Sequence, residues 1–343
     1  MNIERETGSR APAATVCIVA YQSGAYLQPC LDALALQTFA DFEAVIVDND
    51  STDGSIEAVR LPDARFRIER MGKNLGFAAA NNVAARASRS AWLATLNPDT
   101  RAEPGWLGAL MAATARWPAA ASFGSTQVSL DRPDELDGVG DVWHTAGLAW
   151  RARLGRPVSD TPPEGESFGP CAAAALYRRD LFLGLGGFDE TYFCYCEDVD
   201  MAYRLRLAGW TSVQVPDAVV RHAGSGISGR TSEFTLFHGH RNRVWTFVKN
   251  TPGAWLWALL PYHLAYDALM TYTSFRIGRG GPVLKAHWAA LTGLGPILRA
   301  RRKVQRSRKA NLSDLARAMA WEPRSPLRRD VVRRLAPSNG AGL

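Results

Sequence analysis

Short apolar runs alternate with helix-like segments through the first 130 residues of this chain, and this alternation constrains the fold most strongly. Each apolar run is four to six residues long, which suits a buried strand. Strands that alternate with helices pair in parallel, so the sequence predicts a mostly parallel α/β sheet. The predicted strands cover residues 15–20, 42–47, 66–69 and 91–96, and the predicted helices cover 25–36, 77–88 and 103–115.

The pattern continues less regularly beyond residue 130. Residues 131–167 are rich in Gly, Pro and Asp and predict an excursion from the sheet. A strand at 172–177, a helix at 197–208 and a strand at 211–215 closed by Pro216 are predicted to follow. The helix at 197–208 begins with acidic residues, which suits the positive end of a helix dipole.

The C-terminal third has a different character. Residues 254–275 are apolar and aromatic, but Pro261, His263 and Asp267 interrupt them. A spanning helix needs roughly 20 mostly apolar residues and an intramembrane Asp is costly, so an interfacial helix fits better. Trp255, Trp257 and Tyr262 suit the headgroup level of a membrane. A helix that packs on the preceding domain is the alternative, and the two can hold together.

Basic residues concentrate behind that helix. The net charge is +7, and residues 299–309 contain seven basic residues and no acid. Such a run indicates an anionic partner, unless it is a solvated tail. Because the run lacks interleaved aromatic residues for base stacking, an anionic membrane surface is expected and nucleic acid is not.

Cysteine usage and the N-terminus bear on location. The five cysteines are odd in number and fit no zinc-ligand spacing, which favours a reducing cytosol over a disulfide framework. The first residues lack an apolar signal core, so no export is predicted.

Polar clusters follow the predicted strands. Asp48 ends the second strand, and Asn97-Pro98-Asp99 ends the fourth. Ligands of such sheets bind beyond the carboxyl ends of the strands. A carboxylate at that edge can hold a divalent cation, which would neutralise a diphosphate. The alternative interpretation is that each cluster forms an ordinary turn or helix cap.

Carboxylates recur in the second half of the chain. Glu197, Asp198 and Asp200 lie within four residues and are expected to raise one another's pKa, so that one of them accepts a proton from a hydroxyl. His222 follows a strand and is a candidate metal ligand. The alternatives are a helix-dipole complement for the acids and a surface histidine.

Seven ordered motifs together identify a family. The sequence resembles the family 2 glycosyltransferases, in particular the rhamnosyltransferase-like branch, over roughly residues 13–250. The motifs that carry the resemblance are VCIVAYQSG, VIVDNDSTDGS, KNLGFAAANN, WLATLNPD, GGFDETYF, CEDVDMAYRLRLAGW and VVRHAGSGIS.

The resemblance implies a GT-A fold and a division of the chain. Residues 1–12 would be a flexible N-terminus and 13–230 the catalytic domain, with a nucleotide-binding half at 13–130 and an acceptor-binding half at 131–230. Residues 231–310 would form a helical, amphipathic, basic extension that associates with membranes. Residues 311–343 would be a partly flexible tail.

The resemblance also implies roles for individual residues. Asp198 would be the general base, with Glu197 beside it as an acceptor contact or rival base, and Asp200 would support the helix start. Asp99 and His222 would hold a divalent metal, Mg²⁺ or Mn²⁺. The residues expected around the nucleotide sugar are Tyr21, Asp48, Asn74, Gly76, Asn97 and Asp99. The sequence departs from the family's Asp-x-Asp motif at Asn97 and Pro98, which leaves Asp99 as the carboxylate for the metal.

The implied reaction is a single displacement with inversion at the sugar. The donor would be a nucleotide-diphospho-sugar, with dTDP-L-rhamnose first and UDP-linked hexoses or galactofuranose as alternatives. The acceptor would be a saccharide or lipid-linked saccharide of a surface glycan such as O-antigen. The enzyme would lie at the cytoplasmic face of the cell membrane as a peripheral protein. A non-catalytic sugar-nucleotide-binding scaffold is the alternative from another class.

Overall fold

A single mixed sheet of ten strands organises residues 14–222. The computed structural model describes residues 10–224 and 232–332. The central strand order is β10-β12-β6-β11-β4-β1-β2-β3, with β5 paired to β12 and β7 paired to β6. The strands are β1 (Ala14–Ala20), β2 (Phe42–Asp48), β3 (Phe66–Arg70), β4 (Trp92–Leu96), β5 (Thr100–Ala102), β6 (Ala120–Ser129), β7 (Leu136–Gly138), β8 (Asp141–His144), β9 (Leu148–Arg151), β10 (Gly165–Ser167), β11 (Ala174–Arg178) and β12 (Thr211–His222).

Twelve α-helices are present in the described residues. They are α1 (Leu27–Ala35), α2 (Ser55–Ala58), α3 (Gly76–Ala87), α4 (Trp106–Arg116), α5 (Arg179–Gly184), α6 (Glu197–Leu207), α7 (Glu233–Asn250), α8 (Gly253–Arg276), α9 (Gly280–Thr292), α10 (Leu294–Arg306), α11 (Leu312–Ala318) and α12 (Ser325–Arg328).

The nucleotide-side sheet is parallel, as the alternation predicts. β1 pairs in parallel with β2 and β4, and β2 pairs in parallel with β3. Every residue of β1 is buried, because helices cover both faces of the sheet. The parallel register brings the ends of β1, β2 and β4 to one edge, where the polar clusters lie. The predicted strands and helices of this half agree with the structure to within three residues at each end.

β12 is longer than the sequence predicts. Pro216 does not close the strand at 215, because a register shift between Val215 and Val219 lets the chain pass the proline and pair again with β6. A bulge tolerates a residue that has no backbone N–H. The continuation carries His222 to the end of β12, opposite Thr100 of β5.

The region 131–167 is ordered into short strands. β7 joins the main sheet, and β8 and β9 form an antiparallel hairpin around Gly147, whose φ is +78°. A Cβ at Gly147 would lie 2.5 Å from the His263 ring, so glycine is required there by space as well as by conformation. The hairpin positions Asp141 and Arg151 near the start of α6.

Asp200 differs from its expected electrostatic behaviour. Its carboxylate is fully buried and contacts Arg204, Lys249 and Asn250 at 2.7–2.9 Å. Burial alone would raise the pKa of Asp200, but Arg204 and Lys249 lower it to about 2. The expectation that all three acids of α6 raise one another's pKa is therefore wrong for Asp200, which instead ties α6 to α7.

The C-terminal helices pack against α6 and the β8–β9 hairpin. α8 continues through Pro261 without ending, and its interrupting His263 and Asp267 are buried, with Asp267 paired to Arg243 of α7. None of the helices that the structure describes is long and apolar enough to cross a membrane. Residues 1–9 of the predicted flexible N-terminus, 333–343 of the predicted tail and 225–228 of the VVRHAGSGIS motif lie outside the described residues.

Candidate active site

The nucleotide-side residues gather at the carboxyl edge of β1 and β2. Asp48 is buried at the end of β2, where its Oδ1 accepts a hydrogen bond from the Ser51 backbone at 2.9 Å. Arg70 lies 3.7 Å from its other oxygen. Tyr21 directly follows β1 and is 40% exposed. This edge therefore offers an anchored carboxylate beside an accessible aromatic ring.

Asn74 and Gly76 belong to a tight loop before α3. Asn74 Oδ1 accepts from the Gly76 backbone at 2.9 Å and from Asn49 Nδ2 at 2.8 Å, and Asn49 also accepts from the Leu75 backbone. Gly76 has φ +81°, and a Cβ there would lie 2.5 Å from the Phe193 carbonyl oxygen. Sequence reasoning gave Asn49 no role, although it fixes this loop.

Asn97 and Asp99 follow β4 at the same edge. Asn97 donates its backbone N–H to Ala173, and its side-chain Oδ1 is buried without a hydrogen bond to any described residue. Asp99 is 5% exposed, and its Oδ1 lies 3.3 Å from His222 Nε2. β4 and β12 thus bring together a carboxylate and an imidazole that are more than a hundred residues apart in sequence.

His222 has the hydrogen-bond arrangement of a metal ligand. Its Nδ1 lies 2.7 Å from Asp137 Oδ2, while its buried Nε2 makes no hydrogen bond of regular geometry to a described residue. Metal-binding histidines commonly donate their other ring N–H to a carboxylate, which orients the ring. Burial opposes protonation of His222, but Asp137 and Asp99 raise its pKa. We call Asp99, Asp137 and His222 the metal half of the site.

The acids at the start of α6 have few compensating charges. Asp198 accepts hydrogen bonds from the Ala172 backbone at 3.0 Å and the Val199 backbone at 2.8 Å. Burial raises its pKa, although these hydrogen bonds oppose the rise. Burial and then Asp198 raise the pKa of Glu197, whose Oε2 has no hydrogen-bond partner among the described residues.

Asp141 completes this group. Burial and then Asp198 raise its pKa well above the usual 3.8. We call Asp141, Glu197 and Asp198 the base half of the site. Asp141 and Asp137 lie in the 131–167 region, whose irregular composition gave sequence reasoning no strand on which to place them.

Arg151 joins the two halves. Its guanidinium contacts Asp137 and lies 3.5 Å from His222 Nδ1. Arg151 also pairs across the β8–β9 hairpin with Asp141, whose carboxylate lies within 4.8 Å of that of Asp198, and its charge offsets part of the rise in the pKa of both acids. The structure therefore brings the predicted residues Asp99, His222 and Asp198 into one neighbourhood through a residue that the sequence reasoning missed.

The donor atoms of the metal half suit a hard divalent cation. His222 Nε2 lies 3.3 Å from Asp99 Oδ1, a spacing that two ligands of one cation adopt. One imidazole and one carboxylate leave several coordination positions for phosphate oxygens and water. These residues thus fit the expected Mg²⁺ or Mn²⁺.

Comparisons with known proteins identify the family of this chain. The sequence profile of Glycosyl transferase family 2 matches residues 15–185. N-acetylglucosaminyl-diphospho-decaprenol L-rhamnosyltransferase of Mycobacterium tuberculosis (strain ATCC 25618 / H37Rv) is 32% identical over 274 residues, covering 73% of this chain and 88% of the relative. Hyaluronan synthase of Pasteurella multocida is 33% identical over 104 residues, 30% of this chain and 11% of that protein.

Solved structures share the fold at low identity. A mannosyltransferase from Pyrobaculum calidifontis in complex with GDP-Man and Mn²⁺ has a TM-score of 0.52 and 19% identity, over 87% of this chain and 86% of that one. GalNAc-T7 with UDP, GalNAc and Mn²⁺ has a TM-score of 0.55 and 16% identity, over 73% of this chain and 51% of that one. These neighbours confirm the predicted GT-A fold. Because a relative 32% identical is matched along most of its length, the chain belongs to glycosyl transferase family 2 and is a rhamnosyltransferase-like glycosyltransferase.

Proposed function

We propose that this glycosyltransferase moves L-rhamnose from dTDP-L-rhamnose to a lipid-linked saccharide, with inversion and with a divalent metal. The observation that carries the proposal is that Asp99 lies 3.3 Å from His222, and that Arg151, beside His222, is the hairpin partner of Asp141, whose carboxylate lies within 4.8 Å of that of Asp198. The similarity to a mycobacterial rhamnosyltransferase supports the donor sugar and the kind of acceptor.

In this proposal, Asp99 and His222 hold Mg²⁺ or Mn²⁺. A bound cation supplies charge neutralisation for a departing nucleoside diphosphate. Asp137 accepts the Nδ1 proton of His222, which keeps the Nε2 lone pair directed at the metal position. The Mn²⁺ in the two structural neighbours supports a metal without distinguishing Mn²⁺ from Mg²⁺.

Asp198 is the proposed general base. Two backbone N–H groups orient its carboxylate, so its lone pairs point in a fixed direction. Burial raises its pKa, which makes the carboxylate a stronger base for an acceptor hydroxyl than an exposed Asp. Glu197 is its neighbour and the rival candidate.

The nucleotide is proposed to lie along the carboxyl edge of β1, β2 and β4. Asp48 would accept hydrogen bonds from the base or ribose, and Tyr21 would line the same pocket. Asn74 and Gly76 would border the nucleotide, because their loop approaches Phe193 closely. Asn97 offers a buried amide oxygen beside the phosphate position.

The acceptor lipid is proposed to approach along α8 and α9. The ring centroids of Trp255 and Trp321 are 5.8 Å apart, whereas Trp257 is 72% exposed. α8 therefore packs on the domain and also presents apolar side chains to solvent. Between residues 252 and 313, Asp267 is the sole acid of the sequence, and it is buried against Arg243. An exposed apolar surface flanked by cations suits an anionic bilayer at the cytoplasmic face. The exposed residues are Trp257, Leu264, Leu269, Tyr272, Phe275, Ile277, Leu284, Trp288 and Leu291.

Vesicle flotation tests the membrane contact. The protein is expected to float with anionic vesicles at low salt and less well with neutral ones. Trp288→Ser should weaken flotation, whereas Trp321→Ser, on a residue that packs against Trp255, serves as the matched control. A protein that stays in the soluble fraction with anionic vesicles would contradict the contact.

A transfer assay tests the function itself. Purified protein, Mn²⁺ and a polyprenyl-diphosphate-linked N-acetylglucosamine acceptor are incubated with dTDP-L-rhamnose, a UDP-hexose or UDP-galactofuranose. Rhamnose incorporation with release of dTDP supports the proposal, and preference for a UDP donor would correct the sugar. Tight donor binding without transfer or hydrolysis would favour the non-catalytic scaffold.

A further inference from the structure

Three side chains that can bind a metal converge beside the proposed base. Asp141 begins β8, Cys171 lies just before β11, and Asp198 is the second residue of α6. One ligand atom from each lies within 4.8 Å of the other two. Zinc bonds oxygen at about 2.0–2.2 Å and sulfur at about 2.3 Å, which sets tetrahedral ligands roughly 3.5 Å apart. Small side-chain movements would therefore bring all three ligand atoms within bonding distance of one ion.

The charge of this place favours a cation. Asp141 and Glu197 are buried and Asp198 is half-buried beside them, with Arg151 as a cationic neighbour. Buried carboxylates at this spacing cannot all ionise unless a positive charge joins them. A bound dication would offset their repulsion within the same volume.

Glu197 gives a second, independent indication of a ligand. Its side chain is 5% exposed, and its Oε2 makes no hydrogen bond to any residue that the structure describes. Glu197 directly precedes Asp198 at the start of α6, which places it next to the cluster. A buried carboxyl oxygen without a partner is costly, and a metal ion beside it would remove that cost.

Sulfur determines which cation fits. Thiolate ligands select zinc and similar soft ions, whereas carboxylate and water suit Mg²⁺ and Mn²⁺. Asp99 and His222 offer only oxygen and nitrogen ligands, so the metal half suits a harder cation than the cluster that contains Cys171. Cys171 is partly accessible, which gives an ion a route to the sulfur.

We propose that Asp141, Cys171 and Asp198, with Glu197 beside them, form an inhibitory binding site for zinc. The inference rests on the proposed function through the role of Asp198. A zinc ion bound to that carboxylate occupies the lone pair that accepts the acceptor's proton, so transfer stops while the donor still binds. Chelation of the zinc restores activity.

Cobalt absorption tests the site directly. The full-length protein is titrated with Co²⁺, and a thiolate-to-cobalt charge-transfer band is expected that one equivalent of zinc abolishes. Cys171→Ser should lose the band, whereas Cys17→Ala, which changes a core cysteine of β1, should keep it. A parent protein without the band, or a Cys171→Ser protein that retains it, would overturn the site. If Cys171→Ser does not fold, Asp141→Asn must weaken cobalt binding at least about tenfold.

Activity measurements test the inhibition. With Mn²⁺ in excess, zinc should inhibit the parent, and Cys171→Ser should need at least about tenfold more zinc relative to its own zinc-free rate. Equal zinc sensitivity in the two proteins would contradict the inhibitory role. Because the cobalt band does not require transfer, a band without any transfer would reject the proposed function alone. Transfer without a band would reject the zinc site alone.

Discussion

The metal half and the base half of the site both contain carboxylates, but their neighbours differ. Basic side chains contact the carboxylates of the metal half, whereas the carboxylates of the base half lie mainly beside one another. In the metal half, His222 and Arg151 contact Asp137, and His222 faces Asp99. In the base half, burial and neighbouring carboxylates raise the pKa of Asp141 and Glu197. Under the proposed function, the same residue type serves as a cation ligand in one half and as a proton acceptor in the other, according to its neighbours.

α6 repeats this contrast within a single turn. Asp200 is fully buried and Asp198 is half-buried, and desolvation raises the pKa of Asp198 while Arg204 and Lys249 lower that of Asp200. Asp200 faces α7 and stabilises the packing of the two helices. The chemistry of an acidic motif therefore depends on which side of the helix meets the cations.

The largest expected effect is the loss of turnover in Asp198→Asn. The amide cannot accept the acceptor proton, so kcat should fall by about 10²–10⁴ while donor affinity stays near that of the parent. Steady-state kinetics and nucleotide-sugar titration measure the two quantities. Asp180→Asn, at an exposed position on α5, is the matched control. Near-normal turnover in Asp198→Asn would show that the base is another residue, with Glu197 the first to test.

Asp200→Asn should affect stability instead. Removing this carboxylate leaves the buried Arg204 without its ion-pair partner and Lys249 with Asp189 alone, which costs about 3–5 kcal/mol of unfolding free energy. Because the folded pKa is about 2 and the ordinary value is 3.8, the contribution is complete above pH 4 and is lost as the pH falls towards 2. Urea denaturation at pH 7 and pH 3 measures it. An equal loss at both pH values would contradict the ion-pair account.

Asp137→Asn should weaken the metal half without touching the base. Losing the carboxylate that orients His222 should lower Mn²⁺ affinity by about 10–100-fold. Donor titration with and without Mn²⁺ measures the change, and Asp99→Ala should remove the metal dependence altogether. If donor binding by Asp99→Ala keeps the Mn²⁺ dependence of the parent, the metal does not bind in this half of the site.

The smallest expected effect concerns pH. Burial raises the pKa of Asp198, so the acid limb of kcat/KM should lie above the usual Asp value of 3.8. Activity should fall as the pH decreases through that limb, because the protonated carboxyl cannot act as a base. Donor affinity at the same pH values separates this effect from metal loss. An acid limb with a pKa at or below 3.8 would indicate that the general base is in a more exposed environment than Asp198.

The sequence predicts the nucleotide half of the fold well and the acceptor half poorly. Alternation of strands and helices is a local signal, and it locates β1 to β4 and the residues at their ends. Asp137, Asp141 and Arg151 lie on short strands whose pairing is set by contacts with β6 and with one another. Pairing with β6 likewise produces the bulge past Pro216. The sequence-based prediction ended this strand too early because it relied on the local turn preference of proline.

The same limit applies to electrostatics. The spacing of Glu197, Asp198 and Asp200 indicates a group of acids, but burial raises the pKa of Asp198, whereas Lys249, from a distant segment, helps to lower that of Asp200. Roles implied by family resemblance identified Asp99, His222 and Asp198 individually. Only the tertiary structure reveals that Arg151 connects them.

Anomalous diffraction from crystals soaked with Mn²⁺ and dTDP tests the central claim most directly. The account predicts one manganese peak within bonding distance of both Asp99 Oδ1 and His222 Nε2, with diphosphate oxygens completing the coordination. A peak bound elsewhere, with Asp99 and His222 making no contact to the ion, would contradict the assignment of the metal half.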